Sequence, residues 1–535
     1  MAVATFWIIL ILVIVVAFMV NKYVKSASDY YVMGKKGGTI GITGVLTASY
    51  LSAVTFVGIA GIEYLNGPPI FLICYGSWIG MVFGFLYVGR RLRAYGAITM
   101  PDFLQERFGT NVRVTATIIL IVGLLGYGVV QLMGAGVLLS TVTGISYNVV
   151  IVVFAVALVT FCAVAGMYSV VVVNTLLLAT ILVACFIIAP IMIKAGGGFE
   201  GLTTGLMNID PDFWSAGGRK YHMPAGWTVG QFVLWALFFP AAPWIAGMAL
   251  PCKNDFVVMR SISLATLFTT VGVVILFLGV SAMFLVNPNI NPADQVFIWA
   301  CKNQVHPILG GLGIAGVMAA ILSSGATIFM GAGFGLSRDL YERYIMNKGG
   351  SLTESQKIIY ARMAQIGVGV IVITFALSKP LAIYWISAWA GALFATAWLP
   401  TLIAGFEFKR ASRVGVIAGM LCGAGSYIIL YQCVKKWKLF TLPLGLDPVI
   451  YAIIISFAAI WVGSLLVKPK QEDMATYSRV KGIGLAENTL QSLSPGEMIK
   501  EYKMTKTLAW TSIIIAVVVL GLFAIRIVPA VSAGM

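Results

Sequence analysis

Charge is what this 535-residue chain has least of: Asp, Glu, Lys and Arg make up 10% of it, hydrophobic residues 60%, and the mean hydropathy is +0.97. That balance excludes a water-soluble globule and implies a polytopic membrane protein. Histidine is almost missing, with only His222 and His306, both in predicted loops, so no histidine-based acid/base or zinc site is expected inside the membrane. The seven cysteines (74, 162, 185, 252, 301, 422, 433) lie mostly within apolar runs in no paired spacing, which indicates neither a disulfide framework nor a metal site. No GxxxxGK[ST] nucleotide loop occurs. The longest predicted outer loop, 196–227, carries Asp210 and Asp212, and the longest inner one, 468–506, is charged and polar; neither has room for a catalytic domain.

The scarcity of charge is most informative inside the apolar runs. No Asp, Glu, Lys or Arg stands near a membrane midplane; the nearest are Glu63, Arg113, Lys194 and Arg362 at the ends of runs, and Arg526 in the last run. Proton pumps and intramembrane enzymes usually display such groups at depth, so the chain reads as neither. A channel would favour a continuous polar pore, which the runs do not offer.

What is present is length. A hydrocarbon core of roughly 30 Å takes about 20 helical residues, and fourteen runs qualify: about 5–22, 40–62, 70–90, 113–143, 148–166, 170–195, 228–250, 261–286, 309–335, 358–378, 380–406, 412–434, 447–467 and 507–530. The first run lacks the basic front and small-residue cleavage site of a signal peptide. The net charge of +16 comes from basic residues gathered in alternate loops, among them Arg90, Arg91, Arg93, Lys409, Arg410 and Arg413. This is a positive-inside signal, not a nucleic-acid patch. It predicts a multi-pass protein of the plasma (inner) membrane with both termini outside.

The runs also offer neutral oxygen. In AAILSSGATIFMGAGFGLSRDLYERY (319–344), Ala320, Ser323, Ser324 and Thr327 stand at i, i+3, i+4 and i+7 and share one helical face. In GVLTASYLSAVTFVG (44–58), Ala48, Leu51, Ser52 and Thr55 repeat that spacing. Close helix packing would explain either face alone. Together, and with one backbone locally unwound, they would form a cage suited to a weakly charged hard cation such as sodium. The seventh run, GQFVLWALFFPAAPWIAGMAL, places Pro240 and Pro243 in mid-membrane, five spans after the second. Interrupted helices at corresponding places in two five-span halves mark an inverted-repeat transporter.

Over at least residues 5–435 the chain resembles the sodium/solute symporter family, most specifically in TASYLSAVTFVG (47–58), VQLMGAGVLLSTVTGISYN (130–148) and AAILSSGATIFMGAGFGLSRDLY (319–341). The resemblance implies an all-α integral membrane protein of about 14 helices with the inverted five-plus-five repeat of the leucine-transporter type. The repeats would cover 40–195 and 228–406, joined by the loop 196–227. A peripheral span and loop (1–39) would precede them, and peripheral C-terminal spans (407–535) would follow. It implies one sodium held by carbonyls of Ala48 and Leu51 and by carbonyl and hydroxyl oxygens of Ala320, Ser323 and Ser324. A second sodium would use Ser52, Thr55, Ser323 and Thr327. However, Ala326 stands where such relatives offer a hydroxyl, Asn174 where many have Asp, and Leu177 where they have Gln. The implied solute pocket takes in Tyr50, Thr55, Ser77, Gln131, Phe239 and Trp385, while Cys74 and Ala236 depart from the sugar-recognising pattern.

The function this implies is sodium-coupled import of a small organic solute by alternating access. The branch it looks closest to carries acetate and other short monocarboxylates, pantothenate or proline. Import of a sugar or other neutral solute, or a transporter-like sensor, is the alternative. The expected partners are the solute, sodium as the co-transported ion and the lipid bilayer; no cofactor is implied.

Overall fold

Backbone polar groups find no water in a hydrocarbon core, so chain that crosses it closes its hydrogen bonds within helices. The computed structural model follows that rule. It describes residues 2–534 apart from 69–71, 216, 220–224, 346–351, 379–382 and 483–492; His222 and parts of the predicted loops 196–227 and 468–506 lie outside the described residues. Among the described residues there are helices and no β-strand, and 12 helices are long and apolar enough to cross a membrane, from Thr39–Asn66 to Pro495–Ser532. The first and third predicted spans are helical as well, over Ala2–Val20 and over Leu72–Phe83 with its continuation to Tyr95. The fold is an all-α membrane bundle with an inverted five-plus-five repeat.

Glycine decides several of the approaches. Gly166, at φ 55° and ψ −136°, turns the chain between the spans Tyr147–Val164 and Gly166–Ala195, and a Cβ there would lie 2.5 Å from the Tyr30 carbonyl oxygen. On the third span Gly76, Gly80 and Gly84 recur every fourth residue. Added Cβ atoms would come within 2.1 Å of Phe232 O, 2.6 Å of Ala236 O and 2.7 Å of Pro240 Cα. This small-residue stripe lets the third span lie backbone to backbone against the seventh.

Two spans are broken in mid-membrane. The first broken helix runs from Thr39 to Tyr50, leaves helical geometry at Leu51 (φ −77°, ψ 80°), and resumes through a π-helical turn at Val54–Ile59 into Ala60–Asn66. The second runs from Ala225 to Phe238, tightens over Phe239–Ala241 and becomes extended at Ala242 (φ −77°, ψ 121°). There Pro240 and Pro243 have no N–H to continue the ladder. Against the first broken segment packs the helix Pro307–Phe334, here called the serine helix, whose most apolar stretch is 94% buried.

Candidate functional site

The first break frees carbonyl oxygens. In an unbroken helix the N–H groups of Ala53, Val54 and Thr55 would bond the carbonyls of Ser49, Tyr50 and Leu51. Here Ala53 N donates to Gln131 Oε1 (3.4 Å), Val54 N to Ser52 Oγ (3.2 Å) and Thr55 N to Ser52 O (3.1 Å). The Tyr50 carbonyl is reclaimed by the Thr55 hydroxyl at 3.0 Å. The Leu51 carbonyl is thus released next to Ala48, the last turn before the break.

The serine helix meets this break through one side chain. Ser324 Oγ donates to Ala320 O (2.7 Å) and reaches Gln131 Oε1 (2.9 Å), the oxygen that also accepts from Ala53. Thr327 Oγ1 donates to Ser324 O (2.9 Å). Ser323 is completely buried, and its hydroxyl has no hydrogen-bond partner. An unpartnered buried hydroxyl is costly unless something else supplies the missing contact. Ala48, Leu51, Ala320, Ser323 and Ser324 offer only neutral oxygen, the chemistry a singly charged hard cation accepts.

Beside the break lies a cavity of about 440 Å³ lined by residues that include Tyr50, Ser52, Thr55, Cys74, Ser77 and Phe239. Every lining residue is buried in this structure. Ser77 Oγ donates to Cys74 O at 2.6 Å, so Tyr50 donates its hydroxyl to Ser77. Sequence reasoning missed most of the wall: Tyr127, Trp235, Phe238 and Trp244 also line it. The signal was there, because Trp235, Phe238 and Phe239 stand at i, i+3 and i+4 just before the prolines. No Lys or Arg lines the cavity among the described residues.

Two predicted solute residues stand apart from it. Gln131 bridges the break to the serine helix instead of lining the cavity, and Trp385 packs against Trp227 and Tyr384 with ring centroids 6.0 and 5.3 Å apart. The residues considered for a second sodium are divided. Ser52 and Thr55 line the first cavity, whereas Thr327 lines a second cavity of about 550 Å³ that extends past Met330 and Phe334 to Thr99 and Asp339. Asn174 is buried with no partner for either side-chain polar atom, and Leu177 is buried. The Ala326 carbonyl lies 3.6 Å from Cys162 Sγ.

At the far end of the second cavity sits a clasp of charges, of which Arg113, Arg338 and Asp339 are buried. Arg338 Nη1 bonds Asp102 Oδ1 (2.7 Å) and Thr99 Oγ1 (3.0 Å); Arg113 pairs with Asp102 (3.0 Å) and with Asp339; Thr99 Oγ1 donates to Asp339 Oδ1 (2.9 Å). Asp102 also accepts the N–H groups of Ile98 and Thr99 at 3.0 Å each. Burial pushes the Asp102 carboxyl up, but Arg338, Arg113 and the Thr99 N–H outweigh it and hold the group at about 2. Three segments far apart in the chain, 99–102, Arg113 and 338–339, are joined there.

Comparison with known proteins places this architecture. A model of the sodium:solute symporter family matches residues 30–423. The monocarboxylic acid transporter of Corynebacterium glutamicum is 25% identical over 90% of this chain and 94% of its own length. The sodium/pantothenate symporter of Escherichia coli is 22% identical over 82% and 90%, and the high-affinity proline transporter of Bacillus subtilis 24% identical over 83% and 93%. Among solved structures, a sodium-coupled sialic acid symporter in a substrate-bound outward-open state superposes with a TM-score of 0.73 at 16% identity, covering 88% of this chain and 99% of that one. That likeness concerns the fold.

Proposed function

Because the chain belongs to the sodium:solute symporter family, we propose that it imports a small carboxylate together with sodium, by alternating access across the first cavity and the second cavity beyond it. The observation that carries the reading is the meeting of a broken helix with the serine helix: a released Leu51 carbonyl, an unpartnered Ser323 hydroxyl and Ser324 tied to the break through Gln131. One sodium is held by Ala48, Leu51, Ala320, Ser323 and Ser324. The divided positions of Thr55 and Thr327 weigh against a second one.

The solute occupies the first cavity, against Tyr50, Thr55, Ser77 and Phe239. Without a lining Lys or Arg, a carboxylate is met by hydroxyls and by the helix ends exposed at the breaks. The aromatic walls then take the apolar body of the solute, and the printed activities of the monocarboxylic acid, pantothenate and proline relatives fit that class. The basic loops face the cytoplasm, which puts the Asp102 clasp on the inner side, the Gly61–Asn66 end of the first broken helix on the outer side and both termini outside. The repeats span 40–195 and 228–406.

The test is uptake into proteoliposomes of labelled acetate, pantothenate, proline and galactose, under an imposed sodium gradient or an imposed proton gradient. Uptake of a carboxylate that requires sodium supports the reading. Uptake of galactose alone overturns the solute assignment, and full uptake driven by a proton gradient in sodium-free buffer overturns the coupling.

A further inference from the structure

Glu63 is a carboxylate with no visible counterpart for a charge. It stands on the Ala60–Asn66 stretch of the first broken helix, is completely buried, and neither of its side-chain oxygens has a hydrogen-bond partner. It follows Ile59, a lining residue of the first cavity, by four positions, so it extends the cavity-facing side of that helix by one turn toward its Asn66 end. Glu63 therefore stands one helical turn beyond the cavity wall, on the Asn66 side.

Among the described residues, the groups around it supply no cation. From the helix Asp255–Val286, Ser281 donates its hydroxyl to the Glu63 backbone carbonyl at 3.5 Å, which leaves the carboxylate untouched. From the Ala293–Gln295 turn, Asp294 lies against Gly61, where an added Cβ would meet its Oδ1 at 2.6 Å; burial raises that second carboxyl to about 6. Tyr64 gives its hydroxyl to Asn287 O at 2.6 Å, and Arg219 lies over the Phe284 ring at 4.7 Å. On the helix Val296–Asn303, Cys301 packs against Gly313 and Lys302 donates to Thr141 O at 3.2 Å. A carboxylate buried without a cation or a donor does not stay ionised, because desolvation favours the neutral acid.

We propose that Glu63 is a proton-binding site one helical turn beyond the wall of the solute cavity: it carries a proton while it is buried and releases it when the outer side opens to water. The proton is bound from the outer water and returned to it, so it adjusts the closing step to external pH without adding to the sodium drive. The words "outer" and "opens" rest on the transport reading above; the protonation itself does not.

The experiment is infrared difference spectroscopy on the full-length protein in liposomes, wild type against Glu63→Gln, at neutral pH in sodium-free buffer and after addition of sodium. The expected result is one carboxylic-acid carbonyl band, sensitive to exchange into heavy water, absent in Glu63→Gln, shifted in Glu63→Asp and retained in Asp294→Asn. Sodium should change its intensity. Intrinsic tryptophan fluorescence, to which Trp235 and Trp244 of the cavity wall contribute, is titrated with sodium in wild type and Glu63→Gln, and a matching response shows that both are folded. Coincident spectra for wild type and Glu63→Gln would overturn the proposal, since Glu63 would then be ionised. A band that ignores sodium while the fluorescence responds would also overturn it, leaving a structural acid only. Fluorescence that ignores sodium would count against the sodium site instead, and the band in sodium-free buffer would still decide whether Glu63 holds the proton.

Discussion

Gln131 Oε1 lies 2.9 Å from the Ser324 hydroxyl oxygen across 193 residues of sequence, and the same oxygen accepts the Ala53 N–H at 3.4 Å. One amide thereby fixes the distance between the first break and the serine helix. Gly134, one turn further along the Gln131 helix, makes the approach possible, because a Cβ there would lie 2.5 Å from that of Ala53. A cation that draws on Leu51 and Ser324 together, as proposed above, needs this separation held constant, and Gln131 would then act as its positioning residue.

Gln131→Leu keeps the volume and removes the bridge. It leaves the Ala53 N–H unpaired in a dry site, for which about 1–3 kcal/mol of lost stability is expected. The sodium concentration for half-maximal uptake should rise severalfold. Gln131→Glu, which keeps an acceptor in the same place, should recover part of the affinity; equal sodium dependence in wild type and Gln131→Leu would show that the bridge does not position the cation.

Ser324→Ala separates ligation from packing. If the hydroxyl only packs, its loss is slight, since interhelical hydrogen bonds in membranes average about 0.6 kcal/mol. As a ligand its removal should raise the half-maximal sodium concentration about tenfold or more, equivalent to roughly 1.4 kcal/mol. Ser323→Ala should do the same while costing no existing hydrogen bond, because that hydroxyl has none. Ser337→Ala is the control: its hydroxyl is buried and bonded to Gly333 O at 2.8 Å, on the same chain segment but at the clasp end. Sodium titrations of uptake at matched expression decide between the two readings.

The serine-helix face was legible in the sequence because helical periodicity is a local property: Ala320, Ser323, Ser324 and Thr327 are brought onto one face by the helix itself, whereas Ala48, Leu51, Ser52 and Thr55 straddle the break at Leu51 and form no such face. The prolines likewise marked the second break from sequence alone. The role of Gln131 was not legible, since nothing local says whether a buried amide points into a cavity or across to another helix; that depends on the Gly134 approach. Glu63 looked like an ordinary residue at a span end. Its isolation emerges only when the segments around Ser281, Asp294 and Lys302 pack beside it and direct their polar groups elsewhere.

Phe239→Ala and Trp385→Ala distinguish the cavity wall from its surroundings. Phe239 lines the cavity and packs against Tyr50 with ring centroids 5.5 Å apart, so its truncation should weaken apparent solute affinity and raise leak while leaving sodium-induced fluorescence intact. Trp385 is outside the lining, and its truncation should leave solute affinity within about twofold of wild type. Competition uptake with a carboxylate found to be transported measures both. A larger loss of affinity from Trp385→Ala than from Phe239→Ala would mean that the solute lies elsewhere.

The clasp should be insensitive to mild acid, and the sign follows from Asp102. Its folded-state value of about 2 lies below that of a free aspartate, so the stabilisation it contributes is present above the unfolded value and is lost as the pH falls through about 2. At 1.36 kcal/mol per unit, the contribution at neutral pH is roughly 2–3 kcal/mol. Asp102→Asn should therefore lower thermal stability at pH 7 and lose its difference from wild type only in strong acid, with wild type nearly flat between pH 7 and pH 5 as far as this group is concerned. The same variant should loosen the clasp end of the second cavity. A cysteine introduced at Met330, in a background without the exposed Cys422 and partly exposed Cys433, should then react faster with a thiol reagent than in the parent clasp. Unchanged labelling in Asp102→Asn would mean that the ion pairs between Arg338, Arg113 and Asp102 only stabilise the fold and do not keep that cavity shut.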